Sequence, residues 1–155
     1  MPLNSITKME ILKTLTIGVN RIAEQAKRNA GWSSKIPGAI SITPARISNN
    51  MFQEEIITDL IKAPMAAAFE FGSGLHRTKG TPDLYPIKAK NKPQLVFWWE
   101  KGQKWFVGTE LPFGHPGVAK RPFIQPAIDT HLDKLREDLA KAFKRGYLAG
   151  VPKVT

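Results

Sequence analysis

One stretch of thirteen residues constrains this chain more than any other: His115-Pro116-Gly117-Val118-Ala119-Lys120-Arg121-Pro122-Phe123-Ile124-Gln125-Pro126-Ala127. Three prolines and one glycine nearly dictate its backbone. Pro116-Gly117 has the chemistry of a type II turn, in which proline pre-sets φ and glycine accepts the positive φ. Pro122 suits the first turn of a helix, where a missing N–H costs nothing. Pro126 suits that turn too, because the first four helix N–H groups have no intrahelical partner. Phe123 and Ile124 then stand at the helix entrance, placed to lock it onto a core. The plain reading is a well-made loop before a helix. So much stiffness also suits a joint whose angle matters.

Downstream of that joint, Ile124, Ala127, Ile128, His131, Leu132, Leu135, Leu139, Ala142 and Phe143 trace one face of an amphipathic helix expected to end near Gly146. A matching helix opens the chain. Met9, Leu12, Leu15, Val19, Ile22, Ala26 and Ala30 recur at three- and four-residue steps, and Thr7 and Glu10 have capping-box spacing. Gly18 inside this helix costs about 1 kcal/mol relative to alanine, a cost that close packing of a neighbour would justify. Asn29 and Gly31 supply the stop.

Between the helices the pattern turns to short strands. Residues 32–38 read as a linker ending in Pro37-Gly38, and residues 39–43 alternate as a strand that Pro44 confines to an edge or an end. Residues 52–61 carry both helical spacing and strand-forming residues; strand is preferred because the neighbouring strand needs a partner. Pro64 to Gly72 reads as a short alanine-filled helix. A long loop with five Lys/Arg follows over residues 72–94, in which only 85–89 suits a strand. Residues 94–100 and 105–108 then form a β-hairpin around a turn at 101–104. Alternation puts Leu95, Phe97 and Trp99 on one face and Val96 and Trp98 on the other. Both faces are apolar, so both call for cover, from the rest of the chain or, for one of them, from another subunit. The expected class is α+β: a small, mainly antiparallel sheet packed by long N-terminal and C-terminal helices, with a long basic loop, in a single domain over residues 1–155 with a tail at 150–155.

The chain has 155 residues, no cysteine and a net charge of +10. Disulfides and thiolate metal sites are excluded, a usage that fits the cytosol. No apolar run approaches the ~20 residues of a membrane span, and the N-terminus lacks the apolar block of a secretory signal. The charge is unevenly spread: +5 over residues 1–50, −3 over 51–75, +6 over 76–121 and +2 over 122–155. An acidic patch between basic blocks favours polyanions or acidic partners. It equally suits copies that meet acidic stretch to basic stretch.

Catalytic patterns are sparse. His76, His115 and His131 are far apart and fit no zinc-protease spacing. His131 reads as a packed or interface side chain and His115 as a loop hydrogen-bonder. Glu70, between Phe69 and Phe71, is expected to be partly buried and to pair with a cation rather than catalyse. Phe71-Gly72-Ser73-Gly74 lacks the ending of a phosphate loop. Arg77, Lys79, Lys88, Lys90 and Lys92 could form a nucleic-acid-binding loop, with Trp98, Trp99 and Trp105 as stacking platforms. The plainer reading is favoured: tryptophans in the core, lysines on a solvated loop.

Four pieces, in order, resemble the neck or tail-completion proteins of tailed bacteriophages, also known as head–tail joining proteins or minor tail components. The first is an amphipathic N-terminal helix followed by Pro37-Gly38-Ala39-Ile40. The second is an alanine-rich turn ending in Glu-Phe-Gly-Ser, here Ala68 to Ser73. The third is Ile-x-x-Lys-x-x-x-x-Leu-x-Phe, here Ile87, Lys90, Leu95 and Phe97. The fourth is His-Pro-Gly followed by Arg-Pro-Phe and a proline-alanine helix start, here His115 to Ala127. The resemblance spans roughly residues 7–145; residues 44–63 do not align with it, and Ser73 stands where threonine is commoner.

The resemblance implies a structural, non-enzymatic virion protein without cofactor or metal. It implies a ring homo-oligomer, expected to be a hexamer, between head-completion or connector proteins on one side and tail terminator or tail tube proteins on the other. Genomic DNA would pass through the lumen. Assembly would occur in the host cytoplasm, with no membrane role. The residues assigned to the interfaces on this basis are Phe69, Glu70, Phe71, Gly72, Arg77, Lys79, Lys88, Lys90, Trp98, His115, Pro116, Gly117, Arg121, Pro122 and Phe123. A basic nucleic-acid-binding module is the alternative.

Overall fold

Two long helices from opposite ends of the chain pack against each other: α1 (Ser5–Asn29) and α4 (Ile124–Ala149). The computed structural model describes residues 3–49, 51–77, 84, 86, 88–89, 93–99, 102–110 and 116–149. They form two compact units, one of residues 1–66 with 122–155 and one of residues 67–121.

In the first unit α1 and α4 run antiparallel. Thr7 lies beside Gly146, Gly18 beside Leu135, and the Asn29 side-chain amide donates to the Phe123 carbonyl at 3.0 Å. The core is built largely of small residues (Ala23, Ala26, Ala30, Ala39, Ala63, Ala66, Ala127, Ala142), with Phe123 the largest fully buried side chain. Phe123 thus locks the entrance of α4 as its position implied. Pro122 precedes the helix instead of opening it, and Pro126 does lie in the first turn. Helix α4 also runs past Gly146, the expected stop. Gly146 is there for close approach to Thr7, so it serves packing and not capping.

The cap of α1 differs from the Thr7–Glu10 box as well. Asn4 is the N-cap, and its Oδ1 accepts from the Thr7 amide at 2.7 Å and from the Thr7 hydroxyl at 2.9 Å. Thr7 is buried one turn inside, so Asn4 both caps the helix and satisfies a buried hydroxyl. Asn4→Ala is therefore expected to lower stability by about 1–2 kcal/mol, read by urea denaturation, with Asn4→Asp recovering most of it. Met9, read as part of the apolar stripe, is exposed; the buried stripe runs through Ile11, Gly18, Val19, Ile22, Ala23 and Ala26.

The linker expected over 32–38 gives way to a one-turn helix, α2 (Ile36–Ala39), which takes in the first residue of the expected 39–43 strand and has Pro37 in its first turn, where proline is tolerated. Strand β1 (Ile40–Ile42) follows. Next come β2 (Arg46–Ser48) and β3 (Met51–Gln53), paired around Asn49 at φ 49°, and then β4 (Ile56–Thr58), which returns antiparallel to β1. The ambiguous 52–61 region is thus strand at residues 52–53 and 56–58, and turn beyond them. After β4 a tight turn is tied down by Asp59. Its amide donates to Ala39 O, its carbonyl accepts from Ala63 N, and its Oδ1 accepts from the amides of Ile61 and Lys62.

The second unit holds most of α3 (Ala66–Phe71), a 3-10 turn over Gly74–His76, and a hairpin of β5 (Leu95–Trp99) and β6 (Lys104–Gly108). Among the described residues the antiparallel strands form three separate two-stranded sheets. The architecture is α+β, two long packed helices with small antiparallel sheets.

Candidate functional site: a two-segment clasp

Glycine chemistry brings the two glycine-bearing motifs of the second unit together. Gly72 closes α3 at φ 73°, which turns the chain sharply enough that a Cβ there would overlap the His76 carbonyl. The next residues then lie against Pro116–Val118. Ser73 N donates to Val118 O at 3.0 Å, Val118 N donates to Ser73 Oγ at 2.9 Å, and Leu75 N donates to Pro116 O at 2.8 Å. A fourth bond, Arg121 N to Phe69 O at 2.7 Å, continues the clasp along α3. Gly74 (φ 57°) and Gly117 (φ 92°) sit where the two backbones meet. A Cβ on Gly117 would stand 2.0 Å from Ser73 O, and one on Gly74 would stand 2.4 Å from Pro116 O. Only glycine gives both the positive φ and the approach.

Several interface residues expected from the sequence therefore share one place. Phe69, Glu70, Phe71, Gly72, Pro116, Gly117 and Arg121 all belong to the clasp or to the helix it braces. Glu70 is buried, at 5 % exposure, as its flanking phenylalanines implied. Phe71 and Leu75 remain half open to solvent, with Arg77, Lys120 and Arg121 exposed around the same segments. The open surface there is apolar and basic. Pro122 and Phe123 belong to the other unit, where Phe123 is core. Lys88 forms an isolated bridge with Glu110, their side chains 3.3 Å apart. Lys79, Lys90 and His115 lie outside the described residues.

Ser73, Leu75 and Val118 were not among the assigned residues, yet they make the central bonds, and Gly74, also unassigned, gives the backbones room to meet. The signal was in the sequence as glycine at 72, 74 and 117, but a glycine's spacing does not name the backbone it will touch. Ser73 Oγ is engaged as an acceptor of a backbone N–H, the geometry of a brace rather than of an activated nucleophile.

The hairpin corrects a second expectation. Trp98 and Trp105 are not core: they are 46 % and 66 % exposed, packed edge to face with ring centroids 6.0 Å apart. Val96 pairs with Val107 and Trp98 with Trp105, so all four occupy one open face, and alternation puts Phe97 and Phe106 on the other.

In the first unit a groove of about 170 Å³ lies between α1 and α4, lined by Thr14, Ile17, Gly18, Arg21, Asp138 and Arg145. Its charges are already matched: Arg21 lies 3.7 Å from Asp138, and Arg145 lies 3.4 Å from Glu10. A hydrogen bond from Lys134 is the main cause holding the Asp138 carboxyl below its ordinary value. Among the described residues no group of three or more His, Asp or Glu converges as a metal site, and no helix is long and apolar enough to cross a membrane. Comparison of the chain with protein-family models, with characterised proteins and with solved structures finds no match.

Proposed function

We propose that the protein is a structural component of a tailed-phage head–tail junction, assembling with copies of itself into a ring around the DNA path. The observation that carries this reading is the clasp. The second and fourth pieces of the resemblance, far apart in sequence, are two sides of one braced backbone element. That is a physical reason for both to occur together in a chain of this kind. Open apolar faces and an uneven charge support an assembling protein, because a cyclic ring needs two different, mutually fitting surfaces on each subunit. Such contacts bury about 800 Å² per partner. In this reading the neighbours are head-completion or connector proteins and tail terminator or tail tube proteins. Native mass spectrometry of the purified protein, beside negative-stain images of virion necks labelled for this chain, tests it. A closed oligomer and label at the neck are expected. A chain absent from purified particles overturns the proposal.

The exposed Trp98 and Trp105 favour one second reading, a nucleic-acid-binding module with an aromatic platform. Titration of free protein with single- and double-stranded DNA at two salt concentrations separates the two. Binding by monomers that weakens steeply with salt supports the module; ring formation without DNA supports the junction protein.

A further inference from the structure

The open face of the β5–β6 hairpin is a large exposed apolar surface. A tryptophan buries roughly 150–250 Å², so the two here leave on the order of 200 Å² of aromatic surface in water, to which Val96 and Val107, 62 % and 58 % exposed, add more. Contiguous apolar patches of a few hundred Å² mark contact sites. The first unit offers a matching projection. In the Asp59 turn, Ile61 is 93 % exposed, the extreme among the exposed large apolar side chains of the described residues, and Leu60 beside it is 51 % exposed. This knob is built stiff. Asp59 Oδ1 accepts from the amides of Ile61 (2.9 Å) and Lys62 (3.3 Å), Asp59 N is tied to Ala39 O, and Ala63 behind the turn is buried. A preformed knob loses little freedom on docking.

Charge decides which surface meets which. The segment that holds the hairpin, residues 76–121, carries nine Lys/Arg against three Asp/Glu, a net of +6. Residues 51–66, which contain the knob, carry Glu54, Glu55 and Asp59 against Lys62 alone. Hairpin against hairpin would set two basic segments together, and knob against knob would set acid on acid. Hairpin against knob is the attractive pairing.

We propose that the Leu60–Ile61 knob of one copy seats on the Val96, Trp98, Trp105, Val107 face of the next copy. The contact is heterologous, so it repeats from copy to copy until the ring closes. It rests on the ring reading and names the contact that makes the ring.

Complementation tests it. Ile61→Arg removes the knob at a position too exposed to disturb the fold, and Val107→Arg spoils the face. Trp98→Ser is a second face variant in case Val107→Arg misfolds. Sedimentation velocity and native mass spectrometry at tens of micromolar should show wild-type oligomers, each variant alone as monomer, and an equimolar mixture of the two as a one-to-one heterodimer. That mixture retains one intact contact and no way to extend it. Tryptophan emission should shift to the blue in the wild-type assembly and in the heterodimer. Variants that assemble like wild type overturn this contact and leave the ring reading standing. Monomeric variants whose mixture stays monomeric overturn the heterologous pairing. Wild type monomeric at every concentration overturns the contact and the ring together.

Discussion

Gly117→Ala is expected to open the clasp and to destabilise the second unit by about 3–5 kcal/mol, on two additive grounds. An L-residue held in the left-handed region costs roughly 1–2 kcal/mol, and Gly117 sits at φ 92°. The added methyl would also stand 2.0 Å from Ser73 O and 2.4 Å from Ser73 C. Both are backbone atoms, so no rotamer change relieves the overlap and the two segments must separate. Separation breaks the Ser73–Val118 pair of bonds and the Leu75–Pro116 bond, each worth about 1 kcal/mol net. Amide hydrogen exchange is the direct readout: Ser73, Leu75 and Val118 should lose protection while the amides of α1 and α4 keep theirs. Gly38→Ala is the control. Nothing lies within 4 Å of a Cβ at Gly38, so the same change there should leave exchange in the clasp untouched. Unaltered exchange at Ser73 and Val118 in Gly117→Ala would remove the clasp from any account of this protein.

The elements that the sequence made plain are those whose signal is local. Helical periodicity over tens of residues marked α1 and α4, and the alternation of Leu95 to Trp99 around a short turn marked the hairpin, down to the two faces. Glu70 between two phenylalanines announced its own burial. What stayed hidden depends on partners distant in the chain. Gly146 looked like a helix stop because glycine commonly is one; only the presence of Thr7 on the facing helix makes it a packing site. Thr7 and Glu10 had capping-box spacing, but Asn4 lay one turn earlier and a buried threonine hydroxyl needed its oxygen. Trp98 and Trp105 read as core because large aromatics usually are. Their exposure follows from the open sheet face they share; apolar residues on both faces signalled a need for outside cover, but not which face lacks it within the chain. The candidate site was legible as two motifs and illegible as one clasp, since the bond between Ser73 and Val118 spans two glycine turns whose directions combine only in three dimensions.

Gly146→Ala and Gly18→Ala should move in unequal directions although both put alanine into a long helix in place of glycine. Propensity alone says each gains about 1 kcal/mol. At Gly146 the new Cβ would lie 2.5 Å from Thr7 Cα, and within about 3 Å of the Thr7 side chain that Asn4 holds in place. A backbone atom at that distance moves only if α1 and α4 spread, and overpacking of this kind costs roughly 1–3 kcal/mol or more. The steric term therefore outweighs the propensity term, and a net loss of about 1–2 kcal/mol is expected. At Gly18 the nearest atom, at 2.3 Å, is Leu135 Cδ1, the far end of a flexible side chain. A rotamer change costs less than a helix displacement, and the groove beside Gly18 offers room, so this variant should fall within about 1 kcal/mol of wild type. Urea denaturation followed by far-ultraviolet circular dichroism gives both values from the helix signal. Gly146→Ala more stable than wild type would mean that α4 does not press on the first turn of α1, and the antiparallel packing that places Phe123 at Asn29 would fall with it.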